Sequence, residues 1–60
     1  MKRYRYKGKL YLLICKARDH HTEQELAVYA PLYYDEEWGD STPVSVRTWT
    51  EFVTLFEEVK

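Results

Sequence analysis

Few residues in this chain are of types that could do chemistry, and each admits a plain structural reading. His20 and His21 are adjacent, with Asp19 and Glu23 beside them, a composition that suits a divalent metal. A metal centre needs three or four converging ligands, however, and neighbouring side chains on an extended segment point apart. The segment reads as a solvated turn. The acids Asp35, Glu36, Glu37 and Asp40 lack the alternating spacing and closing glutamate of a calcium loop, and read as a solvated loop. Cys15 is the single cysteine. A cysteine and a histidine together can act as nucleophile and base, but Cys15 lies in the most apolar stretch of the chain and reads as a small core residue. No catalytic residue, metal site or cofactor is expected, and the protein is expected not to be an enzyme.

The aromatic residues and one arginine carry more. Six Tyr, two Trp and two Phe make up 17% of the chain. Tyr29, Tyr33, Tyr34, Trp38 and Trp49 exceed what one small core needs, and a groove lined with such rings suits a peptide or a stacked single-stranded nucleic acid. The competing reading makes these rings the core and its rim, because short chains gain buried area from aromatics. Arg47 stands isolated in an acidic half of the chain. It suits bidentate contact with a carboxylate or phosphate, or a structural pair with Glu51 or an acid of residues 35–37. The expected ligand-binding set is Tyr29, Tyr33, Trp38, Arg47 and Trp49, in a binding or interaction module for a protein or peptide partner.

Charge supplies the alternative. The net charge is −1, yet residues 1–18 hold seven cations and no acid, whereas ten acids face only Arg47 and Lys60 thereafter. Either basic and acidic strands lie side by side and support one another modestly, or a basic face meets phosphate. In the second case Arg3, Arg5, Lys7 and Lys9 would serve a nucleic-acid-binding domain.

These residues must be positioned by very little chain. Sixty residues make a single domain, 1–60, and a chain this short buries only about 60% of the surface that its unfolded form exposes. One cysteine forms no intrachain disulfide and completes no usual zinc motif, so rings must supply the core. A lone thiol suits a reducing compartment. The charged N-terminus and the short apolar run Leu10 to Cys15 fit neither a signal sequence nor a membrane span. The expectation is a cytoplasmic protein without membrane contact, a monomer or a weak homodimer through an open strand edge.

Tyr4-Arg5-Tyr6 alternates like a half-buried strand, and Lys7-Gly8-Lys9 reads as a tight turn, with Gly8 free to take positive φ. Leu10 to Arg18 is the strongest strand, with Tyr11, Leu13, Cys15 and Ala17 on one face and Leu10, Leu12, Ile14, Lys16 and Arg18 on the other. A second hairpin leads through Asp19–Glu23 to a strand from about Glu25 to Tyr33, where Pro31 marks an edge, bulge or bend. A long break over 34–43 precedes a short strand at Val44 to Arg47. Thr48-Trp49-Thr50-Glu51 fits a capping box, and Trp49, Phe52, Val53 and Phe56 form a helical stripe. Residues 54–59 fit either continued helix or a closing strand.

Tyr4-x-Tyr6-Lys7-Gly8, Tyr11, Ala17-Arg18, Thr22-x-x-Glu25-Leu26-x-Val28-Tyr29-x-x-Leu32-Tyr33-x-Asp35, Val46-Arg47 and Phe52 together resemble the bacterial domain-of-unknown-function family number 1653. The resemblance runs from Tyr4 to about Val59. Asp19-His20-His21 replaces the family's usual His-Ser-Glu, and Ser45-Val46-Arg47-Thr48 replaces its Trp-Val-Arg-Pro, with Trp49 restoring aromatic volume next door. The resemblance implies a mostly β fold like a small SH3-type barrel and brings no activity with it. The expected architecture is a small antiparallel sheet of four or five strands, partly closed, with one short helical turn near residues 49–53.

Overall fold

The computed structural model describes residues 1–34, 36–39 and 43–60. Among these described residues, five strands and one helix follow in the order β1 (Arg3–Tyr6), β2 (Lys9–Arg18), β3 (Glu25–Pro31), β4 (Ser45–Thr48), α1 (Trp49–Leu55) and β5 (Glu57–Val59). All pairings are antiparallel, in the sheet order β4-β3-β2-β1-β5.

The mostly β class and the helix at Trp49 agree with the sequence reading. The sheet itself is open and not closed as a barrel: β4 and β5 form opposite edges. The cause is the connection between them. The chain leaves β4 at one edge, crosses one face of the sheet as α1, and re-enters as β5 at the other. Residues 54–59 therefore divide, with helix to Leu55 and strand from Glu57.

Local chemistry explains the turns. Lys7 and Gly8 both take positive φ, 51° and 76°, the conformation that a two-residue hairpin requires to match strand twist. Tyr6 therefore faces Lys9, and Tyr4 faces Tyr11. The Thr48 hydroxyl accepts from the Glu51 amide at 3.3 Å, capping α1. The Glu51 carboxylate turns to Arg47. At the C-terminus of α1, the Phe56 amide donates to the Phe52 carbonyl at 2.8 Å before the chain extends into β5.

The core lies between α1 and the sheet face it crosses. Tyr4, Ala27, Tyr29, Phe52 and Phe56 are buried there, with Tyr6, Tyr11, Leu13 and Trp49 packed against them. Phe56 is the hub. Its ring lies 4.4 Å from Phe52, 4.5 Å from Tyr6, 5.1 Å from Tyr29 and 5.2 Å from Tyr11, within the range of favourable ring pairing. Val53, the remaining member of the helical stripe, is exposed, because a short helix lying on a sheet buries only one narrow side.

One irregularity reorders β2. Leu13 faces Tyr29 and Cys15 faces Val28, so Ile14 is the extra residue of a β-bulge. Beyond it the alternation reverses. Lys16 pairs with Ala27 and joins the inner face of Tyr11 and Leu13, while Cys15 and Ala17 pass to the outer face opposite Val28 and Leu26. The face assignment expected for the second half of this strand is thus inverted, and Cys15 is exposed instead of forming part of the core. Lys16 places its ammonium 4.5 Å over the Trp49 ring and 2.7 Å from Glu25.

Candidate aromatic–arginine pocket

The inner sheet face continues past the covering helix. Where α1 ends, a cavity of about 510 Å³ opens, within the size range of small-ligand and peptide side-chain pockets. Its floor is the sheet: Tyr6 of β1, Tyr11 of β2, and Tyr29 with Pro31 of β3. Phe56 closes the helix side, and Tyr33, Trp38, Pro43 and Val44 supply the opposite wall from the connection between β3 and β4. Ser45 and Arg47 enter from β4. Strand periodicity places these two together, since they stand two residues apart on one strand face.

Arg47 is fixed from several sides. Its Nε donates to the Tyr29 hydroxyl at 2.9 Å, and one Nη donates to the Glu51 carboxylate one helical turn along the chain. Its guanidinium carbon lies 5.6 Å from the Tyr6 ring centre and 5.7 Å from that of Phe56, a cation–π arrangement. The Glu51 carboxylate first, and then the Tyr29 hydroxyl, hold the guanidinium more firmly protonated than usual. The pair with Glu51, one of the two alternatives for Arg47 in the sequence, is therefore present. The same residue also lines the cavity.

A hydroxyl pair marks the other side. Tyr11 and Tyr33 meet at 3.3 Å between their phenolic oxygens, with rings 5.6 Å apart and nearly perpendicular. Burial, followed by the hydrogen bond to Tyr33, pushes the Tyr11 phenol up to about 12. It therefore remains a neutral hydroxyl across ordinary pH. Lys9 sits over the Tyr33 ring, its ammonium 4.5 Å from the ring centre.

Of the five expected ligand-binding residues, Tyr29, Tyr33, Trp38 and Arg47 converge on this cavity. Trp49 does not. It stacks on Phe52 at 6.2 Å on the side of the helix that Lys16 covers. Tyr34 is 70% exposed and stands outside the lining. Tyr6, Tyr11 and Phe56 were not among the expected site residues. A two-residue turn at Lys7-Gly8 puts Tyr4, Tyr6 and Tyr11 on one face, and following that register is the signal that finds the two tyrosines.

The basic strands are arranged differently. Arg3 and Arg5 occupy the outer face of β1, opposite Val59 and Glu57 of β5. Lys9 belongs to the inner face with Tyr6, and the Lys7 ammonium lies 5.3 Å from the Tyr6 ring centre. The four cations thus divide between two faces of the sheet. His20 and His21 are exposed in the second hairpin, where the Asp19 carboxylate accepts from the His21 and Thr22 amides. Glu36 and Glu37 are exposed, and Asp35 and Asp40 lie outside the described residues. Among the described residues, no three His, Cys, Asp or Glu side chains gather as a metal site, and no helix is long and apolar enough to cross a membrane.

Comparison with protein families matches this chain over residues 2–60. It belongs to the family of proteins of unknown function DUF1653. The matched region contains the whole DUF1653 sheet, the crossing helix and every described residue of the pocket. Comparisons with curated proteins and with solved structures give no match.

Proposed function

We propose that this DUF1653 protein is a non-enzymatic binding module that takes a short segment of a protein partner into its aromatic pocket. The observation that carries the reading is the gathering of Tyr29, Tyr33, Trp38 and Arg47 around one cavity by three separate parts of the chain. Rings grouped only for core packing need not enclose open space. Here Trp38 remains 53% exposed while forming a wall of that space, as expected of a contact residue that is covered on binding. The described lining offers hydroxyls, prolines and one arginine, and neither carboxylate, imidazole nor thiol, a composition suited to holding a ligand more than to transforming it. An exposed, unpaired Cys15 fits a reducing compartment, in keeping with a cytoplasmic setting.

Selection of random displayed peptides against the folded protein tests this. The expected result is a consensus whose peptides bind the unaltered protein and weaken at least fivefold with Trp38→Ala, while the far-ultraviolet spectrum stays unchanged. Enrichment that is indifferent to Trp38, or no enrichment beside single-stranded DNA binding that collapses with salt, would overturn it.

A further inference from the structure

An aromatic cage ordinarily suits a cationic guest. This one already holds its cation. Arg47 lies over the Tyr6 and Phe56 rings at 5.6 and 5.7 Å, so a second positive charge would meet repulsion from the first and find those ring faces already taken. The complementary guest is an anion with an apolar flank. Arg47 retains the means to bind it: of the five N–H donors of a guanidinium, the Tyr29 hydroxyl and the Glu51 carboxylate take one each among the described residues. Those bonds fix the plane of the guanidinium and leave N–H groups for a further acceptor.

Charge magnitude narrows the anion. Glu51 already offsets much of the Arg47 charge, and the described lining holds no second cation, Lys9 standing outside it over Tyr33. A singly charged carboxylate matches that balance better than a phosphate dianion, which normally gathers several cations.

Chain geometry then separates two kinds of carboxylate. In an extended peptide, adjacent side chains point to opposite sides, so an internal acid shares the cavity only with a side chain two residues away, about 7 Å along the chain. A C-terminal residue carries its carboxylate and its side chain on the same carbon, and both enter together. We infer that the pocket takes the C-terminal residue of a partner protein, an apolar or aromatic one, with its α-carboxylate on Arg47 and its side chain among Tyr11, Tyr33, Trp38 and Phe56. This rests on the reading of the cavity as a peptide site.

Calorimetric titration of the full chain with three acetylated tetrapeptide pools tests both levels. One pool ends in apolar residues with a free carboxylate, the second is identical but amidated, and the third is amidated with an internal glutamate. The expected result is binding of the first pool, at least tenfold weaker binding of the other two, and loss of that preference in Arg47→Gln. The comparison of acid with amide on the unaltered protein stands even where Arg47→Gln fails to fold. Equal binding of acid and amide, or preference for the internal glutamate, with either abolished by Trp38→Ala, overturns the terminal assignment and leaves the peptide site intact. Binding by no pool, together with no enrichment in the random selection, overturns both.

Discussion

The Nε of Arg47 donates to the hydroxyl of Tyr29 at 2.9 Å, across strands that pair Ala27 with Arg47 and Tyr29 with Ser45. The bond is thus diagonal, between neighbours on one sheet face. It joins the ring core to the only charged group in the described pocket lining. Tyr29→Phe preserves the packed ring and deletes only the acceptor, so it should cost about 1 kcal/mol, the usual net worth of such a bond. Arg47→Lys loses the planar fork and the stacking over Tyr6 and Phe56 as well, and should cost about 1–2 kcal/mol. Urea unfolding of both single variants and the double variant checks this. The double should lie below the sum of the singles by about the worth of the shared bond.

Phe52 and Val53 are adjacent in the same helical stripe and should behave oppositely. Phe52 is fully buried against Tyr4 at 4.7 Å and Phe56 at 4.4 Å, whereas Val53 is exposed. Phe52→Ala should cost about 3–5 kcal/mol, enough to leave so small a domain largely unfolded at 25 °C. Val53→Ala should stay within about 0.5 kcal/mol of the unaltered protein. Thermal melts followed by circular dichroism separate the two.

What could be read ahead of the structure, and what could not, follows the range of the forces involved. The turn around Gly8 and the Thr48 cap are set by residues within one turn of chain, and both read directly, although Lys9, expected in the turn, already begins β2. The helical stripe predicts Phe52 correctly and Val53 wrongly, since a short helix on a sheet buries only one narrow side; α1 ends at Leu55, and Phe56 reaches the core from extended chain. The Ile14 bulge leaves no mark in a run that is apolar on both faces, so the positions of Cys15 and Lys16 could not be inferred. The open sheet depends on α1 carrying the chain from edge to edge, a tertiary choice. Tyr29, Tyr33, Trp38 and Arg47 stood out as surplus rings and a lone cation, whereas Tyr6, Tyr11 and Phe56 serve core and pocket at once, and periodicity sees only the core.

The bulge has a chemical consequence at Cys15. The side chain sits on the outer face and is exposed, so iodoacetamide should label it in the native protein at a rate close to that of the unfolded chain. Cys15→Ala should change stability by less than about 1 kcal/mol, as surface substitutions do. Leu13→Ala, one position before the bulge and packed on the core, should cost more, toward about 2 kcal/mol. Labelling only after denaturation would place the thiol inside and remove the bulge from the account.

Stability at high pH should report on Tyr11. Burial and the Tyr33 hydroxyl raise its phenol from 10.0 to about 12 in the fold, so the folded state holds this proton more tightly than the unfolded chain does. The sign follows from linkage: the contribution is fully present below pH 10, declines as pH rises, and is gone once pH passes about 12. Denaturation midpoints measured from pH 9 upward should therefore fall across that window. Tyr11→Phe should flatten this part of the profile and remove a late component from the ultraviolet phenolate titration. Tyr33→Phe, which deletes the partner hydroxyl but leaves the burial, should move the Tyr11 component down only part of the way, because desolvation is the larger cause.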